Sequence, residues 1–182
     1  MRSFRQLAIG VFASVCLAGP LAHAAAVENI TINRIVGVRP GHKVPFPAIA
    51  DWSTLRIRLE RSACFGTCPI YSVEISGDGT VNYLGERFVK VTGGQTAHIS
   101  RKAVRDLYAA FVKADFFWTK DSYEAPITDL PTYTVSISFD GRAKSVLDYA
   151  GKSQGLPKAV ADLEDAIDKA AGTEKWIKGK TP

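Results

Sequence analysis

From Leu55 onward the hydrophobic positions alternate. Leu55, Ile57 and Leu59 are separated by Arg56, Arg58 and Glu60, and Tyr71, Val73 and Ile75 repeat the pattern farther on. Successive side chains of a strand point to opposite faces, so a period of two predicts strands buried on one face. Gly77-Asp78-Gly79 predicts a tight turn, because Gly and Asp accept positive φ. Val81 and Tyr83 begin the return, with Phe88, Val89 and Val91 as further return-strand positions and Gly93-Gly94 as the next turn.

The period then changes to that of a helix. Ser100 is a favourable N-cap, and Val104, Leu107, Tyr108 and Phe111 follow at i, i+3, i+4 and i+7, one apolar stripe. Asp115-Phe116-Phe117-Trp118 ends this helix, and a loop runs through Asp121, Pro126 and Pro131. Tyr133, Val135 and Ile137 predict another strand, Asp140-Gly141 a hairpin turn, and Val146 to Tyr149 the return. Pro157 suits the first turn of a last helix. Its stripe is Val160, Leu163, Ile167 and Ala170, and Gly172 is its stop.

Two pairs of segments match in the same order. Val73 to Gly79 and Val135 to Gly141 share V-x-I-S-x-D-G. The helices starting at Ala103 and Ala159 share A-V-x-D-L-x-x-A-x-x-K-A. A tandem ββα repeat or the common grammar of hairpins and amphipathic helices accounts for both matches. In either case strands, helix, strands, helix predict an α+β fold: an antiparallel sheet with two helices packed on one face. The other face is left to solvent or to a partner.

The first residues belong to a different pattern. Arg2 and Arg5 precede an apolar run from Leu7 to Gly19, and Ala22-His23-Ala24 follows. A basic start, a short apolar stretch and a small-x-small site predict a secretory signal peptide at residues 1–24, and hence a periplasmic or secreted protein. Cys16 follows Val15 rather than Gly or Ala, which disfavours a lipid-modified cysteine. Residues 25–52 read as an extended arm, with alternation at Ile30, Ile32 and Val36 before Pro40, Gly41, Pro45 and Pro47. Residues 53–178 read as one domain. The whole chain carries 23 Lys and Arg against 18 Asp and Glu. Two of those arginines leave with the leader, so the remainder is mildly basic, without the clustered basic face that nucleic acid requires. No later apolar run is long enough to span a bilayer, so no membrane association is expected after cleavage.

Loss of Cys16 leaves Cys64 and Cys68 as the remaining thiols. In an oxidising compartment a close pair predicts a local disulfide that staples the corner between two strands. A redox dithiol is the second possibility, although such pairs sit at helix N-termini, whereas Pro69 and an alternating strand follow Cys68. Copper is the third. Cys64-x-x-x-Cys68-Pro69 resembles the motif of copper chaperones for cytochrome oxidase assembly, and two thiolates with His98 or His42 would suit Cu(I). That resemblance covers six residues and lacks the surrounding βαβ pattern. A wider one exists. Cys64-Phe65-Gly66-Thr67-Cys68-Pro69-Ile70-Tyr71, then Gly77-Asp78-Gly79-Thr80-Val81-Asn82-Tyr83, then Thr128-Asp129-Leu130-Pro131-Thr132 together resemble an uncharacterised, mostly exported bacterial domain family. The resemblance spans about residues 53 to 178 and implies a domain boundary and an important cysteine corner, but no activity.

The remaining chemistry is sparse. A hydrolase triad needs a histidine base; His42 lies in the Pro/Gly-rich arm, His98 has no motif around it, and G-x-S-x-G is absent. Asp121, Glu124 and Asp129 share one loop with Tyr123 and Thr128, which offers acid–base work, a hard cation or simple solvation. Trp118 and Trp176 read as core or rim packing, or as anchors for a protein or glycan if exposed. The expectation is an exported, non-catalytic binding or interaction module with no cofactor. It would be stapled at Cys64–Cys68 and would use the sheet's open face or the loop bearing Trp118, Asp121, Tyr123, Thr128 and Asp129. Its partner would be an unidentified protein or small ligand of the cell envelope. A thiol-redox or copper-handling protein is the alternative.

Overall fold

The computed structural model of the protein describes residues 33–34 and 45–178. The leader at 1–24, Cys16, His42 and the alternating positions Ile30, Ile32 and Val36 lie outside the described residues. The strands are β1 (Asn33–Arg34), β2 (Arg56–Arg61), β3 (Ile70–Ser76), β4 (Thr80–Arg87), β5 (Gly93–His98), β6 (Ser122–Glu124), β7 (Tyr133–Phe139) and β8 (Arg142–Tyr149). The helices are α1 (Arg101–Lys113), α2 (Lys158–Ala171) and the short α3 (Glu174–Ile177). The strands form one mixed sheet in the order β1-β8-β7-β2-β3-β4-β5. β1 and β6 pair with β8 in parallel, and the other pairings are antiparallel. The class is α+β.

Register explains the core. Across β3, β2, β7 and β8, Val73, Leu59, Val135 and Val146 stand in one row, and Ile75, Ile57, Ile137 and Lys144 in the next. Apart from Lys144, these are apolar and buried, and they share one cluster with Val104, Leu107 and Phe111 of α1 and Val160, Leu163 and Ile167 of α2. Each such side chain contributes about 1.5–3 kcal/mol on burial. The intervening Arg56, Arg58 and Glu60 emerge on the open face. The two V-x-I-S-x-D-G segments occupy equivalent places: Val73 and Val135 flank Leu59, and Ile75 and Ile137 flank Ile57.

The helices begin and end for local reasons. The Ser100 hydroxyl accepts the Ala103 amide at 3.1 Å, satisfying a donor of the first turn of α1. Gly172, at φ 65°, closes α2 in the left-handed conformation that glycine takes without steric cost. Pro157 stands one place earlier than expected, as the extended residue before the helix, and Ala171 is buried more deeply than Ala170.

Two strand expectations are corrected. Gly93-Gly94 opens β5 instead of turning the chain, and Phe88, Val89 and Val91 lie in the link before it. β5 is an edge strand, exposed almost throughout, so no buried alternation marks it. The link is held by the Val91 and Lys90 amides, which donate to the carbonyls of Trp176 and Ile177. β6 was also unforeseen; its three residues borrow their order from β8.

Because β3 and β7 both run antiparallel to β2, their hairpin turns lie at the same end of the sheet. The last residues of the arm close this hairpin end. Phe46 packs edge-on against Phe117 with centroids 5.0 Å apart, and the Tyr108 hydroxyl donates to the Pro47 carbonyl at 2.6 Å. The opposite end carries the cysteine corner.

Candidate functional site: the cysteine end

Residues 62–69 connect β2 to β3, and the disulfide Cys64–Cys68 closes them, with Cα atoms 5.8 Å apart. The corner is tied to the segment that leads into β7. The Phe65 amide donates to the Asp129 carbonyl at 3.2 Å, the Ser62 amide to the Thr132 carbonyl at 2.9 Å, and the Thr132 amide to the Ser62 hydroxyl at 2.9 Å. Asp129 takes φ 74°, a left-handed conformation that Asp tolerates better than most residues. Phe65 projects from this pinned tip with 87% of its surface exposed.

Beneath the corner, the inward row of the sheet turns polar. Tyr71, Arg61, Tyr133 and Asp148 are in register across β3, β2, β7 and β8, one step beyond the valine–leucine row. α2 and α3 run across these strand ends: Glu164 meets Asp148 on β8, Asp168 meets Arg61 and Tyr71, and Trp176 stacks on Tyr83 of β4 at 4.8 Å.

Asp168 is the hub. Arg61 donates to its Oδ2 through Nε at 3.1 Å and Nη2 at 2.8 Å, Tyr71 OH lies 2.8 Å from both oxygens, and Thr173 Oγ1 donates to Oδ1 at 2.7 Å. The Arg61 guanidinium also lies over the Tyr133 ring, 4.4 Å from its centroid. Burial works against the Arg61 charge, but Tyr71 and Asp168 outweigh it and raise its pKa. Burial, and then the Asp168 carboxylate, push the Tyr71 hydroxyl up, so it remains a donor.

A second acid pair stands beside the hub. Glu164 is 8% exposed, and burial, followed by the nearby Asp148 carboxylate, raises its pKa to about 8. It therefore keeps its proton at neutral pH beside Asp148, whose Oδ1 accepts the Gly151 amide at 2.6 Å.

Between the corner and α2–α3 lies an open cavity of about 490 Å³. Its apolar walls are Tyr71, Tyr133, Pro69, Pro131 and Ile177, and Cys68 forms part of its lip. Asp165, Lys169, Glu174 and Lys178 contribute two charges of each sign to its lining. Exposed apolar side chains gather at this end: Phe65, Ile127 and Leu130 on the two tied loops, and Leu84 and Phe88 at the end of β4.

The expected ligand loop does not form one site. Asp121 accepts a hydrogen bond from the buried Lys144, and Tyr123 is buried with its hydroxyl accepting the Lys120 amide. Thr128 and Asp129 lie instead at the cysteine corner, where the Thr128 hydroxyl donates to the Asp129 carboxylate at 3.1 Å. Trp118 is half-buried and Trp176 is buried, so neither is the exposed anchor envisaged from the sequence. His98 pairs with Thr80 at the hairpin end. It is separated from Cys64 and Cys68 by the length of β3, about 20 Å, so the three do not form a ligand set.

The sequence reading passed over Arg61, Asp148, Glu164, Asp168 and Thr173. Arg61 was within reach: it is the next inward position after Leu55, Ile57 and Leu59. Glu164 and Asp168 each follow a stripe residue of α2 by one place, where a helix's buried face begins to turn outward.

Residues 55–171 match the family model DUF6438, a domain of unknown function. The chain belongs to that family. The matched region runs from the start of the sheet to the end of α2, so it contains the disulfide, Arg61, Tyr71, the Glu164–Asp148 pair and Asp168, while Thr173 and Trp176 follow it. No curated protein matches the chain.

Proposed function

We propose that the protein is an exported, non-catalytic interaction module that receives its partner at the cysteine end. The observation that carries this reading is the cavity of about 490 Å³ between the stapled corner and α2–α3. Concave sites with apolar walls and a few placed polar groups are the usual form of a binding site. The exposed Phe65, Ile127 and Leu130 around it supply apolar surface that would lose water on contact. The cavity hydroxyls of Tyr71 and Thr173 both donate to Asp168, and burial with that carboxylate pushes the Tyr71 pKa up, so Tyr71 offers a neutral polar group to a ligand. The basic start, apolar run and Ala22-His23-Ala24 support export, and export supports an oxidised Cys64–Cys68 pair.

The experiment is site-specific photo-crosslinking in cells producing the full chain. A crosslinker at Lys169, on the cavity, is compared with one at Lys102, on α1 at the far end. The expected result is an adduct from Lys169 alone, in the extracytoplasmic fraction. Equal adducts from both positions, or a cytoplasmic product, would reject the reading. The C-x-x-x-C-P spacing of Cys64, Cys68 and Pro69 keeps a thiol-redox or copper-handling role as the second reading. Thiol titration and metal analysis of the exported protein separate the two: free thiols or one copper per chain would favour that role.

A further inference from the structure

Phe65 and the cavity form a knob and a hole on one surface. Phe65 is the most exposed large apolar side chain among the described residues, at the tip of a loop closed by a disulfide and bonded to the Asp129 carbonyl. That loop is already ordered, so burying its tip costs little further conformational entropy. Cys68, in the same five-residue ring, lines the cavity. The walls contributed by Tyr71, Tyr133, Pro69, Pro131 and Ile177 suit an aromatic ring, and a volume of about 490 Å³ exceeds what one phenyl group occupies.

The charges select the partner. Arg61, Lys169 and Lys178 in the lining are balanced by Asp165, Asp168 and Glu174. A surface with both signs in equal number can meet its own two-fold copy without net repulsion and can pair Lys169 or Lys178 of one chain with Asp165 or Glu174 of the other. A strongly acidic or basic partner gains no such match.

We propose that the cysteine end is a self-complementary interface at which Phe65 of each chain inserts into the cavity of a second copy, giving a two-fold dimer. Adjacent knob and hole on one surface are what an isologous contact requires. Leu130 and Ile127, beside the tip, enlarge the buried apolar centre. This inference rests on the reading of the cysteine end as the binding end.

The test is sedimentation equilibrium of the exported protein over micromolar to sub-millimolar concentrations. The parent is expected to dimerise, and Phe65→Ala to weaken the dimer by at least about tenfold, with a melting temperature equal to the parent's at concentrations where both are monomeric, since Phe65 supports little of the fold. Lys169→Trp, which crowds the cavity, is expected to weaken it similarly. Mixing the two variants should give a heterodimer tighter than either variant's own dimer but weaker than the parent's, because one of the two insertions is restored. A monomer at every concentration, or a Phe65→Ala dimer as tight as the parent's, overturns the inference. So does a Lys169 crosslink to a different protein with none at twice the chain mass, an outcome that leaves the interaction-module reading standing.

Discussion

The two ends of this sheet each centre on an aspartate, and they treat it in opposite ways. At the hairpin end, Asp140 accepts the amides of Ala50 and Asp51 at 2.6 and 3.1 Å and the Thr54 hydroxyl at 3.1 Å. These donors, led by the Ala50 amide, lower its pKa. There the acid fastens the arm, the turns carry no large exposed apolar residue, and the cavities, of about 330 and 160 Å³, are smaller than the one at the cysteine end. At the cysteine end, Asp168 is held by side chains from β2, β3 and the link after α2, beside an acid pair whose Glu164 is pushed up to about 8. That end keeps a cavity and displays Phe65. Backbone donors make a closure, whereas a polar row within the core face makes a wall that a partner can reach. The contrast supports the proposal that the cysteine end receives the partner.

The sharpest way to break the comparison is to remove the hub. Asp168→Ala should destabilise the protein by about 3 kcal/mol, because it leaves Arg61 largely buried without its partner and strips Tyr71 and Thr173 of their acceptor. Chemical denaturation measures it; a loss below 1 kcal/mol would reduce Asp168 to an ordinary surface acid. Cys64→Ser should cost about 2 kcal/mol from the unfolded-state entropy of a short closed loop. A variant that unfolds at the same denaturant concentration as the parent would remove the staple from the account.

The acid pair predicts that stability falls as pH rises. The folded-state pKa of Glu164 is raised, so the stability associated with its proton is fully present below its ordinary value of 4.5 and is lost as pH rises through about 8. Glu164→Gln keeps the size of the side chain and carries no ionisable group. Its stability relative to the parent should therefore increase from pH 5 to pH 9, read from urea midpoints. A constant difference would show that Glu164 titrates normally. The smallest effect is expected at the hairpin end. Asp140→Asn should leave the cavity end unchanged and speed amide exchange at Ala50 and Asp51. If exchange instead quickens around Phe65 and Thr132, the two ends are coupled and the contrast fails.

Much of the fold was legible in the chain. Period-two runs at Leu55–Leu59, Tyr71–Ile75 and Tyr133–Ile137 marked strands because their inward side chains are buried and their outward ones are not. Ser100 and Gly172 marked helix ends because capping is local chemistry. β5 escaped because an edge strand buries little on either side, and β6 because three residues paired to β8 leave no period to read. The candidate site was legible at Cys64–Cys68, and at Tyr71 within the same motif. Arg61 and Asp168 are 107 positions apart in the chain, and no local pattern links them.

The sequence by itself determined the alternation of the inner strands, the helix ends at Ser100 and Gly172, the turns at Gly77-Asp78-Gly79 and Asp140-Gly141, and the pairing of Cys64 with Cys68, because these depend on neighbours within a few residues. The tertiary structure alone decided that Tyr71, Arg61, Tyr133 and Asp148 form one row, that Asp168 and Glu164 lie against it, and that the loop from Asp121 to Asp129 is divided between two places. Register across four strands and the path of α2 over their ends are properties of the packed chain. The charges and aromatic rings that meet there come from segments that have nothing in common until the sheet has formed.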